Sequence, residues 1–278
     1  MAWKLYLGIM DPQHLHLLIL AVVQGITEFV PISSDGHMVV VDALWEHLYG
    51  GQFEDLLSVE IVLHGGTLLA ILVMYWRQLV RLLVADRHMI GRIVVGSLPA
   101  AAIGLPVHKI SVLHHWMESP VLAGLMLPVM GVLLLVGGAK AGGTIDYTEI
   151  SYRQAFLIGL AQATAILPGI SRSGTTIVAG LALGLRREAA ATFSFVLAVP
   201  VVGGAVLLGV KEMMGSTQGG LELNWLLLAT AVAFFVGLAA LALLLRWLRQ
   251  GRLWPMGWWC LAVGLLVTVW QAARWLGA

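Results

Sequence analysis

Six stretches of roughly twenty mostly apolar residues, 57–76, 93–109, 119–139, 188–210, 223–245 and 254–275, set the terms for everything else in this chain. Each is long enough to cross a hydrocarbon core about 30 Å thick as a single helix. Only 11% of the 278 residues are charged, against about 25% in a soluble domain, so the sequence predicts an all-α integral membrane protein. The formal net charge of +1 leaves no basic surface for nucleic acid. The single cysteine, Cys260, excludes an intramolecular disulfide. The N-terminal apolar run contains Gln24 and Glu28 and has no clear small-residue cleavage site, so it reads as mature protein and not as a signal peptide.

Two further apolar stretches are interrupted. The first runs over 15–31, breaks at Pro31-Ile-Ser-Ser-Asp-Gly36 and resumes over about 37–48. The second runs over 154–167, breaks at Pro168-Gly-Ile-Ser-Arg-Ser-Gly174 and resumes over about 175–185. A limb of about 11 residues spans about 16 Å, half of the hydrocarbon core. Each stretch therefore fits a re-entrant helical hairpin with its tip near the midplane, or alternatively a kinked or short spanning helix.

The basic residues orient this map. With the loop 77–92 in the cytoplasm, eleven fall there: Arg77, Arg81, Arg87, Arg92, Lys140, Arg153, Arg186, Arg187, Arg246, Arg249 and Arg252. Four fall outside: Lys4, Lys109, Lys211 and Arg274. Both termini are then outside, and the two hairpins enter from opposite faces.

The breaks resemble each other. Gln24 matches Gln162, Pro31 matches Pro168, Ser33 matches Ser171 and Gly36 matches Gly174. Three spans follow each hairpin, and an odd number of spans inverts the second half relative to the first. The sequence thus predicts one membrane domain over 1–278, with inverted-repeat halves of about 13–140 and 150–278 and the polar breaks meeting near the midplane.

Ionisable groups at membrane depth cost about 2.5–3.5 kcal/mol or more, yet Glu28, His37 and Arg172 sit in or beside the breaks. A shared polar cavity accounts for all three. Gln24 and Glu28 are four apart and share a helix face. Glu28 suits a general base or metal ligand, or a packing ion pair with Arg172. Ser33 and Ser34 suit phosphate chemistry or helix capping. His37 suits proton exchange or a buried hydrogen-bonded role. Around Arg172, the Ser171, Ser173, Gly174 and Thr175 turn opens a helix whose free N–H groups attract anions, and the guanidinium fork matches phosphate oxygens. Asp35 suits a metal or Arg172, and equally an N-cap. Glu60 and His64, four apart, face either this cavity or the headgroups. Asp42 is a weaker candidate. The tryptophans Trp254, Trp258, Trp259, Trp270 and Trp275 read as interface anchors, and His114 and His115 beside Glu118 as an exposed loop.

These residues resemble the undecaprenyl-diphosphate phosphatase, or bacitracin-resistance, family. The resemblance rests on Gln24 to Glu28, on Pro31 to His37 and on Pro168 to Gly174. It extends to Glu60, to Leu63-His-Gly-Gly-Thr-Leu-Leu69 and to Phe193-Ser-Phe-x-Leu-Ala-Val-Pro200, and covers nearly the whole chain. Asp35 departs from it, standing where the family often has Thr or Ser, and Gly65 stands where a larger apolar residue is common.

The resemblance implies a multi-pass phosphatase of the bacterial inner membrane that converts undecaprenyl diphosphate to the monophosphate and recycles the carrier lipid for cell-wall synthesis. It implies a divalent cation, Mg²⁺ or Ca²⁺, with Glu28 and Asp35 as candidate ligands. It implies Ser34 or His37 as nucleophile, Glu28 assisting and Arg172 holding phosphate. Gln24, Ser33, Ser171, Ser173, Gly174 and Thr175 are candidate substrate contacts. A polyprenyl diphosphate lipid is the expected partner, and a homodimer is left open. Inverted repeats with broken helices fit a transporter or flippase for a polyprenyl phosphate as the alternative.

Overall fold

A computed structural model describes residues 11–51, 53, 56–108, 116–139, 142–215 and 222–277. Lys4, Lys109, Lys140, His114 and His115 lie outside the described residues. Among those described, eleven α-helices and two short 3₁₀ turns make up the secondary structure, and no strand is present beyond one isolated bridge, Ile145 to Leu185.

The helices are α1 (Pro12–Thr27), α2 (Ser34–Tyr49), α3 (Leu56–Met74), α4 (Trp76–Val84), α5 (His88–His108) and α6 (Pro120–Gly138), then α7 (Tyr152–Ala163), α8 (Arg172–Ala182), α9 (Arg187–Gly215), α10 (Leu223–Arg249) and α11 (Trp254–Trp275). Of these, α5, α6, α9, α10 and α11 are long and apolar enough to cross a membrane. α3 joins them only together with α4, across a 68° bend. The bend falls at Tyr75, and the stretch 77–92, expected as a loop, is helical on both sides of Ala85. The cause is amphipathic: Leu82 is buried while Arg77 and Arg81 face outward.

The limbs of the two broken stretches also start earlier than the sequence predicts. α2 begins at Ser34 because Ser33 takes the N-cap and accepts from Gly36 N. α8 begins at Arg172 because Ser171 does the same with Gly174 N. Ser34 and Arg172 thereby become first-turn residues of helices, not loop residues. α2 is 16 residues long, longer than the short limb expected.

Polarity is arranged for a bilayer. Leu207, Val136, Leu266 and Phe235 are each two-thirds or more exposed, while Gln24, Thr67, Ser173, Thr176 and Ser194 are buried. Helices pack through small residues, as expected where lipid offers no hydrophobic driving force between helices. α5 meets α7 at Gly96 and Gly159, where a Cβ on Gly159 would collide with the Gly96 carbonyl. Gly159→Val is therefore expected to destabilise the protein by about 2 kcal/mol, read as a lower unfolding midpoint in detergent.

The remaining contacts bring distant segments together. α1 packs on α10, α3 on both α9 and α10, α6 on α11, and α8 on α6 and α9. The loop 142–151 is tied to the α8–α9 turn. Gly143 N and Ile145 N donate to Leu185 O and Gly184 O at 3.0 and 3.1 Å, and Arg186 pairs with Asp146. Partial burial would raise the Asp146 carboxyl, but the Thr148 amide and the Arg186 guanidinium outweigh it and hold the group below the usual carboxylate range.

Candidate active site

The two breaks touch. Ser33 has a φ of 74°, a left-handed backbone that is uncommon for a residue with a side chain. This conformation aims its Oγ to accept from Gly36 N at 3.3 Å and, across 136 residues of sequence, from Gly169 N at 3.1 Å. Gly169 has a φ of 94°, and a Cβ on Gly36 would lie 2.8 Å from its N and Cα. Only glycines permit this approach.

Glu28 is the hub of the cluster. It is buried where α1 ends, and both its oxygens are engaged. Oε1 accepts from Arg172 Nη2 at 2.5 Å. Oε2 accepts from Ser34 Oγ at 2.9 Å and Gln24 Nε2 at 3.1 Å, and lies 3.3 Å from His64 Nε2. Ser173 Oγ donates to the Glu28 carbonyl at 3.2 Å, joining the start of α8 to the end of α1. The Glu28–Arg172 pair is what packing alone would also produce. Two features go further. Arg172 Nη1 is buried and has no hydrogen-bond partner among the described residues. The first turns of α2 and α8, with their free N–H groups, also converge here, an arrangement suited to an anion.

The other expected site residues fall into two groups. The hydroxyls of Ser33, Ser171 and Thr175 are committed to backbone groups of the caps, and Gly174 packs against Met130 and Pro31. They shape the cradle. His37 is also committed: Nδ1 is 2.8 Å from the Ser33 carbonyl, and Nε2 is 3.0 Å from Trp259 Nε1. The indole N–H must donate, so Nδ1 carries the imidazole proton and donates to Ser33 O. No hydrogen bond joins His37 to Ser34, Glu28 or Arg172. Asp42 lies apart, 3.4 Å from His16 in a cluster stacked on Trp45.

His64 is the residue that sequence reasoning placed least well. It is 3.3 Å from Glu28 Oε2 and 4.0 Å from Asp35 Oδ1, with Nδ1 held 2.8 Å from the Glu60 carbonyl. Its signal was the shared face with Glu60. Trp259, read as an anchor, is 52% exposed and also orients His37. No local pattern pointed to that contact.

A cavity of about 210 Å³ opens beside this cluster, lined by Asp35, Glu60, His64 and Glu118 among apolar residues. A second, apolar cavity of about 410 Å³ adjoins it, and Ile61, Met117, Ile166, Val201 and Ala205 line both.

The donors near the cavity suit a divalent cation only in part. Asp35 Oδ1 and Glu28 Oε2 both approach Ser34 Oγ, at 3.4 and 2.9 Å, and supply hard oxygen ligands. Among the described residues no three His, Cys, Asp or Glu side chains form a metal cage. One or two carboxylates completed by phosphate oxygens is the Mg²⁺ pattern, and this donor set fits it.

Fold and site together define a multi-pass helical membrane protein in which two broken stretches bring helix N-termini, a serine and a guanidinium together around one buried carboxylate, beside a polar cavity. The chain belongs to the bacitracin resistance protein BacA family, whose family model matches residues 17–266. It is similar to an undecaprenyl-diphosphatase of Rhodopirellula baltica, 43% identical over 256 residues that cover 92% of this chain and 97% of that one. It is similar also to undecaprenyl-diphosphatases of Desulfosudis oleivorans, 38% identical with 92% and 98% of the two chains covered, and of Pelotomaculum thermopropionicum, 36% identical with 94% and 97% covered.

Proposed function

We propose that this protein hydrolyses undecaprenyl diphosphate to undecaprenyl phosphate and inorganic phosphate in the bacterial inner membrane, recycling the carrier lipid for cell-wall synthesis. The observation that carries this reading is Ser34 Oγ donating to Glu28 Oε2 at 2.9 Å, beside an arginine whose Nη1 has no partner among the described residues.

The terminal phosphate enters at the two helix N-termini and takes the Arg172 guanidinium, competing with Glu28 for it. Glu28, released from that pair, accepts the Ser34 proton. Ser34 Oγ bonds to the terminal phosphorus as the bridging P–O bond breaks, and the lipid monophosphate leaves with that electron pair. Water then attacks the phosphoserine, its proton passing to a non-bridging phosphate oxygen as the P–Oγ bond breaks. Glu28 returns its proton to Ser34 Oγ, and inorganic phosphate departs. Arg172 and the first-turn amides stabilise the charge on the equatorial oxygens in both steps. A divalent cation, Mg²⁺ or Ca²⁺, would be held on the Asp35 side of the site with the phosphates and would supply further charge neutralisation. Attack by His37 instead would first require its bond to Trp259 to break.

The apolar cavity suits the start of the polyprenyl tail. Its walls include Ala100, Ala101 and Gly104 on α5 and Pro200 and Gly204 on α9. A Cβ on Gly104 would meet nothing within 4 Å, so Gly104→Leu starts its side chain in open space on the groove wall. This variant is expected to raise KM for a long polyprenyl diphosphate, relative to geranyl diphosphate, by roughly tenfold. Equal effects on both substrates would remove the groove from the tail's path.

The membrane arrangement completing this reading is six spans and two re-entrant hairpins in inverted halves, about 13–140 and 150–278. The matched caps at Ser33 and Ser171 support it. So does the packing, in which α1 of the first half lies on α10 as α7 of the second lies on α5.

The deciding experiment is phosphate release by purified protein in detergent, with and without chelator, from lipid diphosphates of several lengths. Detergent leaves no two sides to transport between. A flippase or transporter releases no phosphate there; the proposed enzyme does, and chelator suppresses it.

A further inference from the structure

Four carboxylates surround the polar cavity or its floor: Asp35, Glu60 and Glu118 line it, and Glu28 lies beside it. The one permanent cation among the residues described at this site, Arg172, is bonded to Glu28. His64 stands between Glu28 and Asp35, at 3.3 and 4.0 Å, and its other nitrogen is held by the Glu60 carbonyl. Glu60 is different from the rest. It is 8% exposed, it lines the cavity together with Asp35 and His64, and its Oε1 is buried with no hydrogen-bond partner among the described residues. A buried carboxylate oxygen left without a partner is costly, and its usual remedies are a proton, a donor or a metal ion.

We infer that Asp35 and Glu60, which line the same cavity, form the protein half of a divalent-cation seat, completed by the oxygens of a bound diphosphate. The inference rests on the lipid-diphosphatase reading above and adds to it. Arg172 takes the terminal phosphate, and the seat holds a cation against the diphosphate. A cavity of about 210 Å³ leaves room for the waters that Mg²⁺ retains, at about 30 Å³ each. Two carboxylates and no third side-chain ligand explain why the described residues form no complete cage. Binding of the cation is therefore coupled to binding of the diphosphate. Glu60 is a cation ligand in this scheme, and His64 a positioning residue that holds the Asp35 side of the seat.

The test uses Mn²⁺ as a paramagnetic stand-in for Mg²⁺ and farnesyl methylenebisphosphonate as a diphosphate that cannot be hydrolysed. Bound Mn²⁺ is counted by electron paramagnetic resonance on the full-length protein in detergent. The wild type is expected to bind one Mn²⁺ per chain with the bisphosphonate present, and far more weakly without it. Glu60→Gln removes one ligand oxygen at nearly constant shape and is expected to weaken Mn²⁺ at least roughly tenfold. Asp35→Ser is expected to do the same, and Glu60→Asp to recover part of the affinity. Mn²⁺ affinity within twofold of wild type in a folded Glu60→Gln protein would overturn the seat, as would tight Mn²⁺ binding that ignores the bisphosphonate. Phosphate release by the wild type, assayed separately, reports on the enzymatic reading alone, so the two failures are distinguishable.

Discussion

Arg172→Ala lowers kcat for phosphate release by at least about 10³-fold, the expected result if one guanidinium neutralises the transferring phosphoryl group. Arg172→Lys restores the charge but not the fork. It recovers only part of the rate, because a single ammonium cannot clamp two phosphate oxygens as the planar guanidinium fork does. The substitution has a second effect that must be separated from the first. Glu28 is buried, and Arg172 is its closest partner, at 2.5 Å. Removing one member of a buried pair costs about 3–5 kcal/mol, so Arg172→Ala also unfolds more easily. Adding Glu28→Gln removes the stranded charge. The double variant is expected to regain thermal stability in detergent while staying inactive. Restored activity would reduce Arg172 to a packing residue.

Ser34→Ala is expected to reduce turnover by a similar factor of about 10³ or more. It makes no cavity and leaves Ser33 to cap α2, so the fold is retained. Glu28→Gln keeps the Arg172 contact through its amide oxygen but cannot take a proton, and is expected to lose about 10²–10⁴-fold. The two losses combined are expected to be far from additive, since both act in one proton transfer. With labelled substrate and rapid quenching, the phosphoryl group should be found on Ser34 in the wild type. Label on His37 in the Ser34→Ala protein would reassign the nucleophile and sink this mechanism.

The spanning helices were legible because lipid demands long apolar runs, and five of the six expected spans match single helices. The breaks were legible because proline, glycine and ionisable residues are out of place there. Ser33 and Ser171 show how far such reading carries. Their match in sequence was visible and capping was one reading of Ser33, but the match did not show that Ser33 would also hold Gly169, since that bond depends on how two segments 136 residues apart are packed. The same limit hid the contact of Trp259 and left His64 between the cavity and the headgroups. His64 shares a helical face with Glu60, a local fact. Its approach to Glu28 follows from where α3 settles against α1 and α10. Trp259 reaches His37 from the last helix, 222 residues away. The bend at Tyr75 was missed because the arginines after Trp76 read as a loop, whereas Leu82 gives that stretch a buried face that makes it a second helix.

One hydroxyl, that of Ser33, staples the first break to the second. Rocking of the first half against the second, as an alternating-access cycle requires, would have to tear out this staple and the Ser173–Glu28 link at every turnover. Two such bonds, each contributing about 1 kcal/mol, weigh the centre toward the closed arrangement in which the two breaks touch.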